Sequence, residues 1–84
     1  MSDTTNVLEK VQEAFKTAFG VEPQSVSLET KADDVPGWDS VGHLSLAATL
    51  EETFGISLDV DDVMEMENVS AIVRIISTKL AKKV

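Results

Sequence analysis

The chain has 84 residues, with 7 Lys and Arg against 15 Asp and Glu, for a formal net charge of −8. That length suits one small domain, 1–84, and the acidic balance argues against binding a nucleic-acid phosphate backbone, whose neutralisation needs cationic side chains. Hydrophobic residues make up 43% of the chain and cysteine is absent, so a globular core is attainable, no disulfide forms, and any thiol chemistry has to be brought from outside the polypeptide.

The opening MSDTTNVLEK has neither the basic nor the apolar stretch of a secretory leader, and no apolar run approaches the ~20 residues of a membrane span. The expectation is a soluble, cytoplasmic monomer without stable membrane insertion. Between Lys31 and Arg74 there is no other Lys or Arg, while ten acidic residues fall in that interval, so the middle of the chain is expected to present an anionic surface.

Val7, Leu8, Val11, Ala14, Phe15 and Ala18 follow a helical period, and Asn6 with Glu9 fits a capping pattern, so a first helix is expected to run to about Phe19. Gly20 is a suitable stop, with Pro23 three residues beyond. From Val21 to Trp38 no period holds, and Pro23, Pro36 and Gly37 interrupt it. This reads as a long loop tied down by Val26, Leu28 and Val35. Asp39, following Pro36-Gly37-Trp38, is a good N-cap for a second helix that starts at Ser40 and stops at Gly55. At 100° per residue, Leu46, Ala47, Leu50 and Phe54 share one arc, the core side. Val41, Leu44, Ala48, Glu51 and Glu52 lie on another, free for a partner.

Asp59 and Asp62 suggest a short third helix through about Glu65, carrying Val60, Val63 and Met64. Asn68 or Ser70 caps a fourth, whose Val69, Ile72, Val73, Ile76 and Leu80 recur at helical spacing. Lys79, Lys82 and Lys83 gather at its C-terminal end, where cations suit the helix dipole. The fold class is all-α: a small four-helix bundle with a long loop between helices 1 and 2 and a short helix 3.

Ser40 is the residue best placed for chemistry. A hydroxyl in the first turn of a helix sits among outward-pointing amides at the positive end of the dipole, where an attached phosphate is stabilised without basic side chains. The plainer reading makes Ser40 a second capping residue beside Asp39. A hydrolytic nucleophile is a third reading, but Gly37-Trp38-Asp39-Ser40-Val41-Gly42 has one residue too many before the serine for G-x-S-x-G. The base would then have to be His43, three residues on in the same helix. Asp59, Asp61, Asp62 and Glu65 do not fit a calcium loop, because Val63 and Met64 fall where a ligand and a glycine are required; no metal site is expected, and the acids read as capping and solvated charges. His43 projects toward the core arc and is expected to be half-buried and hydrogen-bonded. With Trp38 it occupies the two ends of a staple around Asp39. Met64 and Met66 read as core filler, whose deformable thioethers would also suit a cavity for variable apolar ligands.

Around Asp39-Ser40 the chain resembles the acyl carrier proteins, and the resemblance spans nearly the whole length. It rests on the first amphipathic helix ending Phe19-Gly20-Val21, the long loop, Gly37-Trp38-Asp39-Ser40-Val41, the Leu50-Glu51-Glu52-Thr53-Phe54-Gly55-Ile56 stretch and the Asn68-Val69 entry to helix four. It implies a non-catalytic, stand-alone carrier whose Ser40 receives covalent 4′-phosphopantetheine from coenzyme A through a phosphopantetheinyl transferase. The missing thiol is then imported, and acyl groups ride on it as thioesters for fatty-acid, polyketide or specialised acyl or aminoacyl pathways. It also implies a partner face of Asp39, Val41, Leu44, Ala48, Glu51 and Glu52, docking acyl- or aminoacyl-activating and transferring enzymes with basic surfaces. Carriers of housekeeping fatty-acid synthesis commonly have further acids in the first turns of helix two, where this chain has Gly42, His43 and Ser45. The Trp38-Asp39-Ser40-x-x-His43 form is more similar to specialised carriers. The alternative from a different class is an unmodified acidic helical adaptor or inhibitor of a basic protein.

Overall fold

Four helices in chain order build the structure, a computed structural model that describes residues 4–82: α1 Thr4–Phe19, α2 Ser40–Phe54, α3 Val60–Glu65 and α4 Val69–Lys82. The all-α bundle with a long first connection and a short third helix is thus the architecture observed. Helix α1 buries Val7, Val11, Ala14 and Phe15 against α2 and α4. It is already helical at Thr4, so Asn6 lies inside it and does not cap it. A capping pattern is a local signal, and a helix runs through it when the preceding residues tolerate helical torsions. At the other end Gly20 takes φ 72° and its N–H donates to the Lys16 carbonyl at 2.8 Å.

The connection from α1 to α2 is more ordered than its lack of period suggests. It contains two 3₁₀ turns, Pro23–Ser25 and Ala32–Asp34, each too short to show a period. Val26 and Val35 are buried as expected, whereas Leu28 is 42% exposed and does not anchor the loop. The ties are largely polar. Gln12 Nε2 donates to the Val26 carbonyl at 2.7 Å, and Val69 N–H donates to the Thr30 carbonyl at 2.9 Å beside an isolated antiparallel bridge between Lys31 and Asn68.

Helix α2 buries Leu46, Ala47, Leu50 and Phe54, the arc assigned to the core, and ends at Gly55 with φ 66°. Each such side chain, moved from water to the interior, contributes roughly 1.5–3 kcal/mol for the larger residues. Helix α4 buries Val69, Ile72, Val73 and Ile76, and also Ile75, which widens its apolar stripe. Its cap is Asn68, whose Oδ1 accepts from Ala71 N–H at 2.8 Å; Ser70 lies within the helix. Helix α3 differs in kind. It buries no residue fully, starts with a reciprocal cap between Asp59 and Asp62, and is tied to α4 by an ion pair from Lys79 to Asp62 at 2.8 Å. Lys79 therefore brings a cation against the acidic middle of the chain; Lys83 lies outside the described residues.

Candidate functional site at the start of helix α2

Asp39 has extended torsions and its Oδ1 accepts from Gly42 N–H at 2.9 Å, the geometry of an N-cap, which makes Ser40 the first residue of a 15-residue helix. Ser40 is exposed. Of the amides in this first turn, that of Gly42 is taken by the Asp39 carboxylate, while those of Ser40 and Val41 have no carbonyl partner within the helix. What holds the hydroxyl in place lies on both sides of it in sequence. Trp38 is buried edge-on against Phe15 of α1 at 5.0 Å between ring centroids, with Phe19 at 6.3 Å. Gly37 takes φ 92°, turning the chain into the cap. Gly42 then packs directly under the Gly37 carbonyl and beside Phe19, leaving no room for a Cβ. Its presence in a helix, unfavourable by propensity, is thus a packing requirement of this turn.

His43 is half-buried and hydrogen-bonded. Trp38 Nε1–H donates to its Nδ1 at 2.8 Å, and its Nε2 lies 2.7 Å from the Val63 carbonyl of α3. The two rings stack at 6.1 Å and 17°. The pairing across the Asp39 cap is therefore a polar, stacked contact. With both nitrogens engaged, His43 has no lone pair left for the Ser40 proton, which removes the base that a hydrolytic reading required.

Beside Ser40 a cleft of ≈ 650 Å³ opens between α2 and α3, with Trp38, Ser40, His43, Leu44, Leu58, Val63 and Met66 among its lining residues. Much of its rim is apolar and exposed: Leu44 is 65%, Val60 72% and Met64 69% accessible. Met66 is core filler as expected, but Met64 is not, because the six-residue α3 turns it to the cleft. Of the residues assigned to the partner face, Asp39, Val41, Leu44, Ala48 and Glu52 are exposed. Glu51 is half-buried, and its carboxylate accepts from Leu58 N–H at 2.8 Å, closing the turn after α2. That second task has no signature in helical periodicity. Leu58, Val60 and the Val63 carbonyl are site features that sequence reading missed; alternating apolar residues around Asp59 are the only signal.

Asp62 has its carboxyl held below the ordinary aspartate value of 3.8, chiefly by the hydrogen bond from Lys79, with burial opposing. Among the described residues no three His, Asp or Glu side chains converge to hold a metal ion, and no helix is long and apolar enough to cross a membrane.

A family model described as a phosphopantetheine attachment site matches residues 9–76. An acyl carrier protein of Thermotoga maritima is 30% identical over 80 residues, covering 95% of this chain and 99% of the relative. Another, of Solidesulfovibrio magneticus, is 30% identical over 74 residues, covering 88% and 95%. The solution structure of a holo acyl carrier protein from Geobacter metallireducens superposes with a TM-score of 0.81 at 27% identity, covering 92% of this chain and 88% of that one.

Proposed function

The chain belongs to the acyl carrier protein family, with 4′-phosphopantetheine as its covalent cofactor, and from that premise we propose that Ser40 is the attachment point and that this protein delivers acyl intermediates to partner enzymes. The observation that carries the assignment to Ser40 is its position: an exposed hydroxyl on the first turn of α2, at the rim of an apolar cleft. The residues present fit the group. Outward amides and the helix dipole favour a phosphodiester there, and the cleft offers an apolar wall to whatever chain the arm bears. When bound, the group supplies a terminal thiol that holds an acyl chain as a thioester, with a carbonyl more electrophilic than an ester's.

The protein's own part is to present and to shelter. In the attachment step Ser40 Oγ bonds to the β-phosphorus of coenzyme A, and the pyrophosphate P–O bond breaks. Adenosine 3′,5′-bisphosphate leaves with the electron pair, and the hydroxyl proton goes to a base on the phosphopantetheinyl transferase. His43 is committed to Trp38 and Val63 and is not the acid or base of that step or of later acyl transfer. Exposed Val41, Leu44 and Ala48, with Asp39 and Glu52 around them, form a docking face for transferring enzymes with basic surfaces, and Glu51 adds charge from its tethered position. Such carboxylates steer encounter over a Debye length of about 8 Å at physiological salt. We assign the carrier to the cytoplasm, serving a fatty-acid, polyketide or specialised acyl or aminoacyl pathway.

The test is intact-mass spectrometry after incubation with coenzyme A and a promiscuous phosphopantetheinyl transferase. Wild type gains one arm and Ser40→Ala gains none. An unmodified wild type, or an arm on another serine, overturns the assignment.

A further inference from the structure

One ring, that of His43, joins three elements. It sits on α2, accepts from Trp38 of the preceding loop at Nδ1, and meets the Val63 carbonyl of α3 at Nε2. A ring that accepts at one nitrogen and faces a carbonyl with the other carries its single proton on Nε2, so the partners select the neutral tautomer. Apart from that contact, helix α3 is held by Val63, half-buried against the core, and by little else within the helix. It buries no residue fully, Val60 and Met64 line the open cleft, and its other side-chain tie to the bundle is Asp62 to Lys79.

We propose that His43 is a positioning residue for the cleft: as neutral imidazole it latches α3 to α2 and to the Trp38 loop, and a proton on Nδ1 breaks the latch and loosens the α3 wall. An imidazolium carries N–H at both nitrogens, so Nδ1–H and the Trp38 N–H confront each other, donor against donor. Trp38 is buried and cannot turn to water without leaving Phe15. The ionisable groups lining the cleft with His43 are Asp39 at the start of α2, Asp59 before α3 and Glu67 after it. A displaced imidazolium therefore meets carboxylates as alternative acceptors, while Lys79 stays engaged with Asp62. The Asp62 carboxyl is held low by Lys79, so mild acidification leaves the second tie charged and does not loosen the helix through it. The latch rests on hydrogen bonds of the unmodified chain and stands or falls apart from the role of Ser40.

The experiment follows Trp38, the single tryptophan, by emission and the amides of 60–66 by hydrogen exchange, expressed as protection factors at about pH 8 and about pH 5.5. Wild type loses about tenfold in α3 protection on acidification, in step with the change in Trp38 emission. His43→Gln supplies an acceptor and a donor without titrating and holds its protection at both pH values. His43→Phe fills the space, makes neither bond and is loose at both. Ser40→Ala titrates as wild type does. Protection that stays flat in wild type, emission that titrates without α3 loosening, or a Gln variant that loosens on acidification as wild type does overturns the latch. Should the Gln variant not fold, the wild-type profile decides alone.

Discussion

Replacing Gly42 by alanine pits two effects of opposite sign against each other, and the structure says which wins. In an open helix, Gly→Ala stabilises by about 1 kcal/mol, because alanine loses less backbone freedom on folding. At Gly42 the added Cβ would overlap the Gly37 carbonyl oxygen, lie 3.0 Å from its carbon and 2.9 Å from Phe19 Cε1. Phe19 can shift, but the Gly37 carbonyl is backbone, held between the turn at φ 92° and the buried Trp38. Overpacking of this kind costs about 1–3 kcal/mol, and a clash with constrained backbone belongs toward the upper end. The expected net change is a loss of about 1–2 kcal/mol. For a domain of this size that lowers Tm by about 4–16 °C.

Thermal unfolding followed by circular dichroism measures it, with Ala48→Gly as the internal control. Ala48 is exposed on the same helix, so that change costs about 1 kcal/mol by propensity alone. The two substitutions are formal opposites, yet both should destabilise. A Gly42→Ala variant as stable as wild type or more so would refute the packing account and leave propensity as the whole story.

Other predictions concern the ties around the site. Asp39→Ala removes the cap on Gly42 and should cost about 0.5–2 kcal/mol in urea unfolding, with no such loss in Asp39→Asn, whose amide oxygen also accepts. Glu51→Ala leaves the Leu58 N–H without its acceptor and should cost about 1–2 kcal/mol, whereas Glu52→Ala should stay within about 0.5 kcal/mol; equal effects would mean that Glu51 is only a surface charge. Ile72→Ala, at a fully buried position, should cost about 2–5 kcal/mol by the same measurement. Lys79→Met should lower stability far less than Ile72→Ala does at neutral pH, since the pair is partly exposed to solvent. Because the Asp62 carboxyl is held lower in the folded than in the unfolded chain, that contribution is present above the ordinary aspartate range. It is lost as pH falls through the lowered folded value, so wild type and Lys79→Met should converge in strong acid.

Much of this structure was legible because the relevant interactions are periodic or local. The arc Leu46, Ala47, Leu50 and Phe54 follows from 100° per residue, and Asp39 as a cap follows from its position after Pro36-Gly37-Trp38. What escaped was long-range and polar. The Thr30 carbonyl meets Val69 N–H across 39 positions, and the His43 ring meets the Val63 carbonyl across 20; a backbone acceptor has no residue type by which to be recognised. Leu28 and Met64 misled for the converse reason. An apolar side chain in a short element reads as an anchor, but neither the turn that carries Leu28, between the two 3₁₀ segments, nor a six-residue helix has enough positions to fix which side faces inward. Gly42 is unfavourable in a helix by propensity alone, and the close approach by Gly37 that requires it leaves no trace in pattern.

The two walls of the cleft are built on different physics, and that difference decides which wall yields to an apolar guest. On the α2 side, Leu46, Leu50 and Phe54 lock the helix into the core, and the Trp38-Phe15 contact with the Gly37-Gly42 approach fixes its first turn, so Ser40 is presented from a rigid base. On the α3 side only Val63 of the helix packs against the core, half-buried, and the remaining ties are a ring-to-carbonyl hydrogen bond and a partly exposed ion pair. Net hydrogen bonds are worth about 0.5–1.5 kcal/mol and surface pairs less, against several buried side chains on the opposite wall. A wall held so lightly can move to admit an apolar chain at little cost to the bundle, and exposed Val60 and Met64 gain burial when it does. It follows that a bound acyl chain should raise hydrogen-exchange protection in 60–66 far more than in α2. Equal protection gained in both helices would show the cleft to be a rigid pocket.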